Sequence, residues 1–322
     1  MADETNSPQK TKPNKQNKFC IQKHSFANII GRGVDFLNFR TDLTLERTEL
    51  AKESGKGIKK EFRHNDYSNT TIIDILNEET AQKLGKAVGK YITIEIPELT
   101  YLSSELQKIV DTVKESLDLL LPEGNGLVLV AGVGNSDITA DALGPFVASK
   151  IFSTRHLSEE LQKSIGFTEP LRPVSSVSTG VLGQTGLESS EYIKCIVNEI
   201  KPCCVITIDA LASRSVKRLG NTIQMSDTGI APGSGINNKR KRIDEEFLGV
   251  PVIAIGVPTV VDAVTLAESV FGKITEKETN VDMIVTPKDI DVLIKNSAEL
   301  IATSINLSLQ KSLSYDELKS LL

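Results

Sequence analysis

LVLVAGVGNSDITADALGP, residues 127–145, decides how the rest of the chain is read. Residues 127–133 form a continuous apolar run of buried-strand length, Gly134-Asn135 reads as a turn, and residues 142–152 read as a helical stretch. This is a βα unit, and the pattern recurs C-terminal to it. A strand over 174–178 leads into the glycine-rich loop TGVLGQTG (179–186), a helix over 187–200 and a strand over 204–208 that ends at Asp209. A short strand at 222–225 precedes the long loop SDTGIAPGSGINNKRK; a buried strand (251–256), a helix (261–271) and a last helix (288–310) follow. Strands that are continuously apolar, alternating with helices, predict an α/β fold with a mainly parallel sheet covered by helices on both faces.

Toward the N-terminus the pattern weakens. Residues 71–86 read as a helix, YITIEI (91–96) as a strand stopped by Pro97, and residues 103–120 as a second helix. Residues 36–61 are charged and mixed, a poor core segment expected to be an exposed extension. The first thirty residues are polar and lysine-bearing and are expected to be disordered.

The chain has 322 residues with 37 basic against 42 acidic side chains and no Trp. A formal charge of −5 supplies no basic field for a phosphate backbone, and the missing Trp weakens a stacking platform, so direct nucleic-acid binding is not expected. No apolar run approaches the roughly 18 residues of a membrane span, and residues 1–18 lack the apolar stretch of a signal peptide. An intracellular protein without a membrane role is expected. Cys20, Cys195, Cys203 and Cys204 fit reduced thiols and lack metal-ligand spacing.

In open α/β sheets, ligands bind beyond the carboxyl ends of the strands. Asp141 and Asp209 follow two such strands, each inside an Asp-Ala-Leu tripeptide. Two carboxylates brought close cannot both ionise cheaply, so one keeps a proton while the other acts as base, and such a pair can activate water and protonate a leaving amine. The competing reading is structural: Asp141 would complement a helix dipole and Asp209 would cap a turn. Other chemistries fit less well. Asp137 stands where the third glycine of G-x-G-x-x-G belongs, no phosphate-binding G-x-x-x-x-G-K-[ST] occurs, and His24, His64 and His156 all lie away from the strand ends. Lys239-Arg240-Lys241-Arg242 is a basic run that suits either a solvated face or an acidic peptide.

GNSDITADALGP, STGVLGQTG, IDALASRSVKRLGNTIQMSDTGIAPGSGINNKR and LGVPVIAIGVPTVVDA, in this order, resemble the germination protease family of endospore-forming bacteria. The resemblance runs from about residue 39 to about residue 309. It implies an atypical aspartic endopeptidase with a hydrogenase-maturation-protease-like core and additional elements, needing no metal or organic cofactor. By motif match its catalytic aspartates are Asp141 and Asp209. It also implies a homotetrameric, self-processing zymogen in the forespore or spore-core cytoplasm, whose substrates are small acid-soluble spore proteins. Family substrates are cut after glutamate in a Thr-Glu-aliphatic/aromatic-Ala-Ser-Glu context. Thr41-Asp42-Leu43-Thr44-Leu45-Glu46 has that form, so self-cleavage between Asp42 and Leu43 is expected, with residues 1–42 as propeptide and 43–322 as one peptidase domain. Arg214, Arg218 and Arg240 are candidate partners for the substrate acid at the cut. Ser136-Asp137 departs from the family's Trp-Asn, which adds an acid near Asp141. The runner-up is a nickel-dependent hydrogenase-maturation-type endopeptidase, which shares the strand, Gly-x-Gly-Asn and acid; a non-enzymatic α/β binding module is the third reading.

Overall fold

The computed structural model describes residues 41–51, 57–97, 99, 106–232, 241–271 and 283–322; the expectations for residues 1–40, Lys239 and Arg240 lie outside them. Among the described residues, one sheet runs in the order β1 (Ile58–His64), β2 (Asn69–Ile75), β3 (Gly89–Glu95), β7 (Thr222–Ser226), β8 (Val252–Asp262), β6 (Cys204–Ser213), β4 (Val128–Gly132), β5 (Val174–Ser178). A short β9 (Ile284–Val285) pairs with β8. The described helices are α1 (Thr44–Ala51), α2 (Glu78–Leu84), α3 (Leu106–Asp118), α4 (Leu143–Ser149), α5 (Glu159–Ser164), α6 (Leu182–Thr185), α7 (Ser189–Ile200), α8 (Glu245–Leu248), α9 (Ala263–Phe271), α10 (Ile290–Leu309) and α11 (Tyr315–Leu321).

The α/β class holds, but the sheet is mixed rather than mainly parallel. Pairs β5/β4, β4/β6 and β6/β8 are parallel, as expected where helices cross between strands. From β8 outward through β7, β3, β2 and β1 every pair is antiparallel. The expected helix over 71–86 is the cause of much of this difference. Within its first half, TIIDI (71–75) is rich in β-branched residues that suit a pleated surface, and it belongs to β2. Only the second half is helical, starting where the Asn77 side chain accepts the Thr80 N–H and stopping at Gly85, whose φ is 61°.

The two faces are covered differently. On one, Ile92, Ile94, Ile206, Ile208, Ile223, Met225, Ile253 and Ile255 form a large apolar core with α3, α4 and α10. On the other, two smaller clusters flank a gap. Leu129, Ala131, Val205 and Val252 pack with α7 and α8, and Ile73, Ile75 and Tyr91 pack with α1 and α2. Between those clusters the same face carries polar side chains: Thr207 and Asp209 from β6, Gln224 and Ser226 from β7. A polar strip enclosed by apolar packing is the natural place to look for chemistry.

Two glycines set the geometry at the end of β4. A Cβ on Gly132 would lie 2.0 Å from the carbonyl oxygen of Gly144, and one on Gly144 would lie 2.2 and 2.5 Å from those of Val133 and Ile208. The backbone entering α4 therefore rests directly on β4 and β6. Gly144→Ala should force these backbones apart at a cost on the order of 1–3 kcal/mol, read as a lowered midpoint in thermal or urea unfolding; an unchanged midpoint would contradict the close approach.

Candidate active site

Asp209 is not at the end of its strand, as the sequence suggests, but inside β6, 4% exposed. The reason lies in its neighbours. Pairing with β4 stops at Gly132 opposite Ile208, while pairing with β8 continues through Ser213. Asp209 is thus the first residue beyond the carboxyl end of β4, which keeps it at the edge that matters in an α/β sheet. Its Oδ1 accepts the Ala210 N–H at 2.9 Å.

Asp141 closes a 3-10 turn, Thr139–Asp141, which packs against β6 and β8. The turn is pinned by the Thr259 hydroxyl, which donates to the Ala140 carbonyl at 2.7 Å. Asp141 Oδ2 accepts the Asn135 N–H at 2.8 Å. Gly134 permits this, since its φ of 123° and a Cβ position only 2.1 Å from the Asp141 carbonyl oxygen leave no room for a side chain. The strand ends and the intervening glycines therefore bring the Asp141 turn and β6 together. Asp137, the departure from the family pattern, is exposed and accepts from Gln184 Nε2 at 2.9 Å, an amide that also reaches Asn135.

The segment expected to be an exposed extension is, from Thr41 onward, among the most buried of the chain: Thr41, Leu43 and Thr44 are all 0% exposed and Glu46 is 3%. Most of its polar groups find a partner of the kind that burial requires, the Thr44 hydroxyl being the exception. Asp42 donates its N–H to the Ala212 carbonyl at 2.9 Å, and its Oδ2 accepts the Ala212 N–H at 2.9 Å. Ala212 follows a register irregularity between Leu211 and Ala212 in the pairing of β6 with β8. The Asp42 carbonyl oxygen accepts from Lys86 Nζ at 2.6 Å and from Gln224 Nε2 at 3.1 Å. Gln224 Oε1 accepts the Thr44 N–H at 2.6 Å, so one amide side chain spans the Asp42–Leu43 bond. The Leu43 N–H donates to the Thr41 hydroxyl.

Glu46 is held separately. Its carboxylate accepts the Arg214 and Ser215 N–H groups at 2.8 and 2.9 Å and the Thr41 hydroxyl, with the Arg218 guanidinium 3.8 Å away. Arg218 also pairs with Glu49 at 2.7 Å and Glu95 at 2.9 Å. Burial opposes its charge, but these two acids outweigh that and raise its pKa. The Arg214 backbone N–H and the Arg218 guanidinium thus meet Glu46, the acid at the sixth place of the segment. Of the basic run, Lys241 pairs with Glu191 and Arg242 with Asp244, both at 2.7 Å.

Two cations that feel the Asp42 charge, Arg47 and Lys86, are ones that sequence reading missed. Arg47, whose Nε donates to the Thr41 carbonyl, is depressed in pKa by burial, with Asp42 and Tyr91 pulling the other way. The Lys86 ammonium is brought down to about 8 by burial and by Arg47, against the pull of Asp42. Lys86, Gln224, Tyr91, Asp42, Leu211 and Gly256 share the wall of a cavity of about 150 Å³. Nothing in the sequence marks Lys86 or Gln224, since a lysine after a helix-ending glycine and a glutamine in a strand are both commonplace. Among the described residues no group of three or more His, Cys, Asp or Glu side chains is placed to hold a metal ion, and no helix is long and apolar enough to cross a membrane.

Comparison with known proteins agrees with the resemblance read from the sequence. A family model described as germination protease matches residues 40–276. A germination protease of Caldanaerobacter subterraneus subsp. tengcongensis is 44% identical over 323 residues, covering 89% of this chain and 98% of that protein. One from Clostridium tetani is 38% identical over 325 residues, covering 89% and 100%. Among solved structures, a NiFe hydrogenase maturation protease, HycI from Thermococcus kodakarensis KOD1, matches 59% of this chain and 98% of its own, with 18% identity and a TM-score of 0.34. The chain belongs to the germination protease family and is an endopeptidase.

Proposed function

We propose that the chain is a zymogen that hydrolyses its own Asp42–Leu43 bond, with Asp141 and Asp209 acting as a carboxylate dyad, and that residues 1–42 are the propeptide of a single peptidase domain. The observation that carries this reading is the docking of residues 41–46 against β6 and β7. The Asp42 amide and carboxylate meet Ala212, three residues beyond Asp209 in the same strand. Asp209 and Gln224 both register with Gly256, so their side chains share one face of the sheet, with the Leu211 side chain packed over Gly256.

In this reading one aspartate takes a proton from water as it adds to the Asp42 carbonyl carbon, and the other protonates the Leu43 nitrogen as the bond breaks. The substrates in trans are small acid-soluble spore proteins, cut during germination in the spore-core cytoplasm by a homotetramer that contacts neither nucleic acid nor membrane and needs no cofactor. While residues 41–46 fill the groove, they exclude other chains, which keeps the uncut enzyme silent. Glu46 stands in for the sixth-place acid of such a substrate, and Arg214, Ser215 and Arg218 form its subsite.

Incubation of the purified chain at mildly acidic pH should yield a new N-terminus at Leu43 by mass spectrometry. Folded Asp141→Ala and Asp209→Ala variants should not produce it, and undiminished cleavage by both would sink the dyad. The acid subsite is tested with the processed enzyme and a Thr-Glu-Ile-Ala-Ser-Glu peptide. Replacing the last Glu by Gln should raise KM about tenfold or more, from loss of a charged hydrogen bond worth roughly 1.5–3 kcal/mol. In Arg218→Met the same change should matter much less; equal effects in both enzymes would remove Arg218 from the subsite.

A further inference from the structure

The carbonyl of the bond that this reading cuts is not merely buried; it is met by two donors from separate elements. Lys86 Nζ, just beyond the end of α2, lies 2.6 Å from the Asp42 carbonyl oxygen, and Gln224 Nε2, from β7, lies 3.1 Å from it. Those distances match what a developing oxyanion needs from fixed donors. The carbonyl is free to turn toward them because Asp42 satisfies Ala212 with its carboxylate instead. Gln224 also receives the Thr44 N–H, which fixes the amide so that its nitrogen faces the carbonyl.

We infer that Lys86 and Gln224 form the oxyanion site of this peptidase, an assignment that rests on cleavage at Asp42–Leu43. When water adds to the Asp42 carbonyl carbon, the carbonyl π pair moves onto oxygen, and the negative charge develops beside an ammonium and an amide N–H. Collapse restores the carbonyl and breaks the C–N bond, and Leu43 leaves as an amine carrying the proton delivered by the dyad. Peptide plus water gives a carboxylic acid at Asp42 and an amine at Leu43; the acid proton passes to the amine, leaving a carboxylate and an ammonium, and both donors end as they began. A dyad of two acids supplies proton transfer but no positive charge at the oxygen, and Lys86 supplies it. Arg47 and Arg242 also contribute positive potential to Lys86, with Asp42 opposing and the Tyr91 ring 5.9 Å from the ammonium.

A purely structural role for Lys86 makes a different forecast. Because burial holds its folded pKa near 8, below the ordinary 10.5, the buried ammonium costs stability below about pH 8, and the cost is relieved between the two values. Lys86→Met should therefore keep or raise the unfolding midpoint at neutral pH while slowing cleavage.

The test follows the first-order appearance of the Leu43 N-terminus in the full-length wild type, Lys86→Met, Lys86→Arg and Gln224→Glu, the last of which keeps an acceptor for Thr44 and loses the donor. Hydrogen exchange over residues 41–46 reports whether the segment stays docked. Slowing of about 10²-fold or more in Lys86→Met and Gln224→Glu, partial recovery in Lys86→Arg, and continued protection of the segment are the expected results. Wild-type rates in Lys86→Met and Gln224→Glu would overturn the oxyanion site while leaving self-cleavage intact, as would slowing accompanied by loss of protection, which marks the donors as docking contacts only. Failure of the wild type to form a Leu43 terminus under any acidic condition would instead overturn the self-cleavage reading and this assignment with it.

Discussion

The arrangement depends on how closely the backbone after β4 can approach β6. Gly132 and Gly144 remove the two side chains that would hold it away, and the carbonyls of Val133 and Ile208 fill the space a Cβ at 144 would take. A well-packed interior transmits such a displacement with little loss. The 3-10 turn bearing Asp141 is thus located by β4 and β6 together, and Thr259 from β8 fixes its remaining freedom. The Asp-Ala-Leu-Gly sequence is therefore one device: the acid reaches its place because the glycine three residues later lets it arrive.

The second half of the site comes from the antiparallel part of the sheet. β7 lies between β3 and β8 and brings Gln224 into the row of Gly256 and Asp209. α1 and α2 lie over this side and deliver Arg47 and Lys86 to the same place as Asp42. A mixed sheet is what permits the combination. The parallel half provides Asp141 and Asp209 beyond the carboxyl end of β4, and the antiparallel half provides donors and a floor for an extended peptide.

The parallel half is largely legible in the sequence, because buried parallel strands are continuous apolar runs and the glycines between them are conspicuous. Asp141 and Asp209 stand out on that basis. What escapes is set by pairing and burial between distant segments. The TIIDI run fits helical spacing although its β-branching suits β2, and Asp209 looks like a strand end because the continued pairing of β6 with β8 leaves no mark in residues 209–213. The segment from Thr41 reads as polar surface, since nothing in TDLTLE announces that backbone groups of Ala212, Arg214 and Ser215 will receive its acids.

That burial also bears on the fate of the segment under the proposed cleavage. Thr41–Glu46 is held chiefly by hydrogen bonds and charge pairs, which hold a segment well only while every partner is present, since a buried charge left unpaired is costly. Hydrolysis at Asp42–Leu43 would place a new ammonium at Leu43, which is fully enclosed, and a second carboxylate within Asp42 itself. Lys86 can answer only part of that added negative charge, and the enclosed ammonium has no comparable partner in the bond it replaces. The proposed cleavage would thus set unpaired charges among buried contacts, so the chemistry that severs the segment would also weaken its hold on the groove.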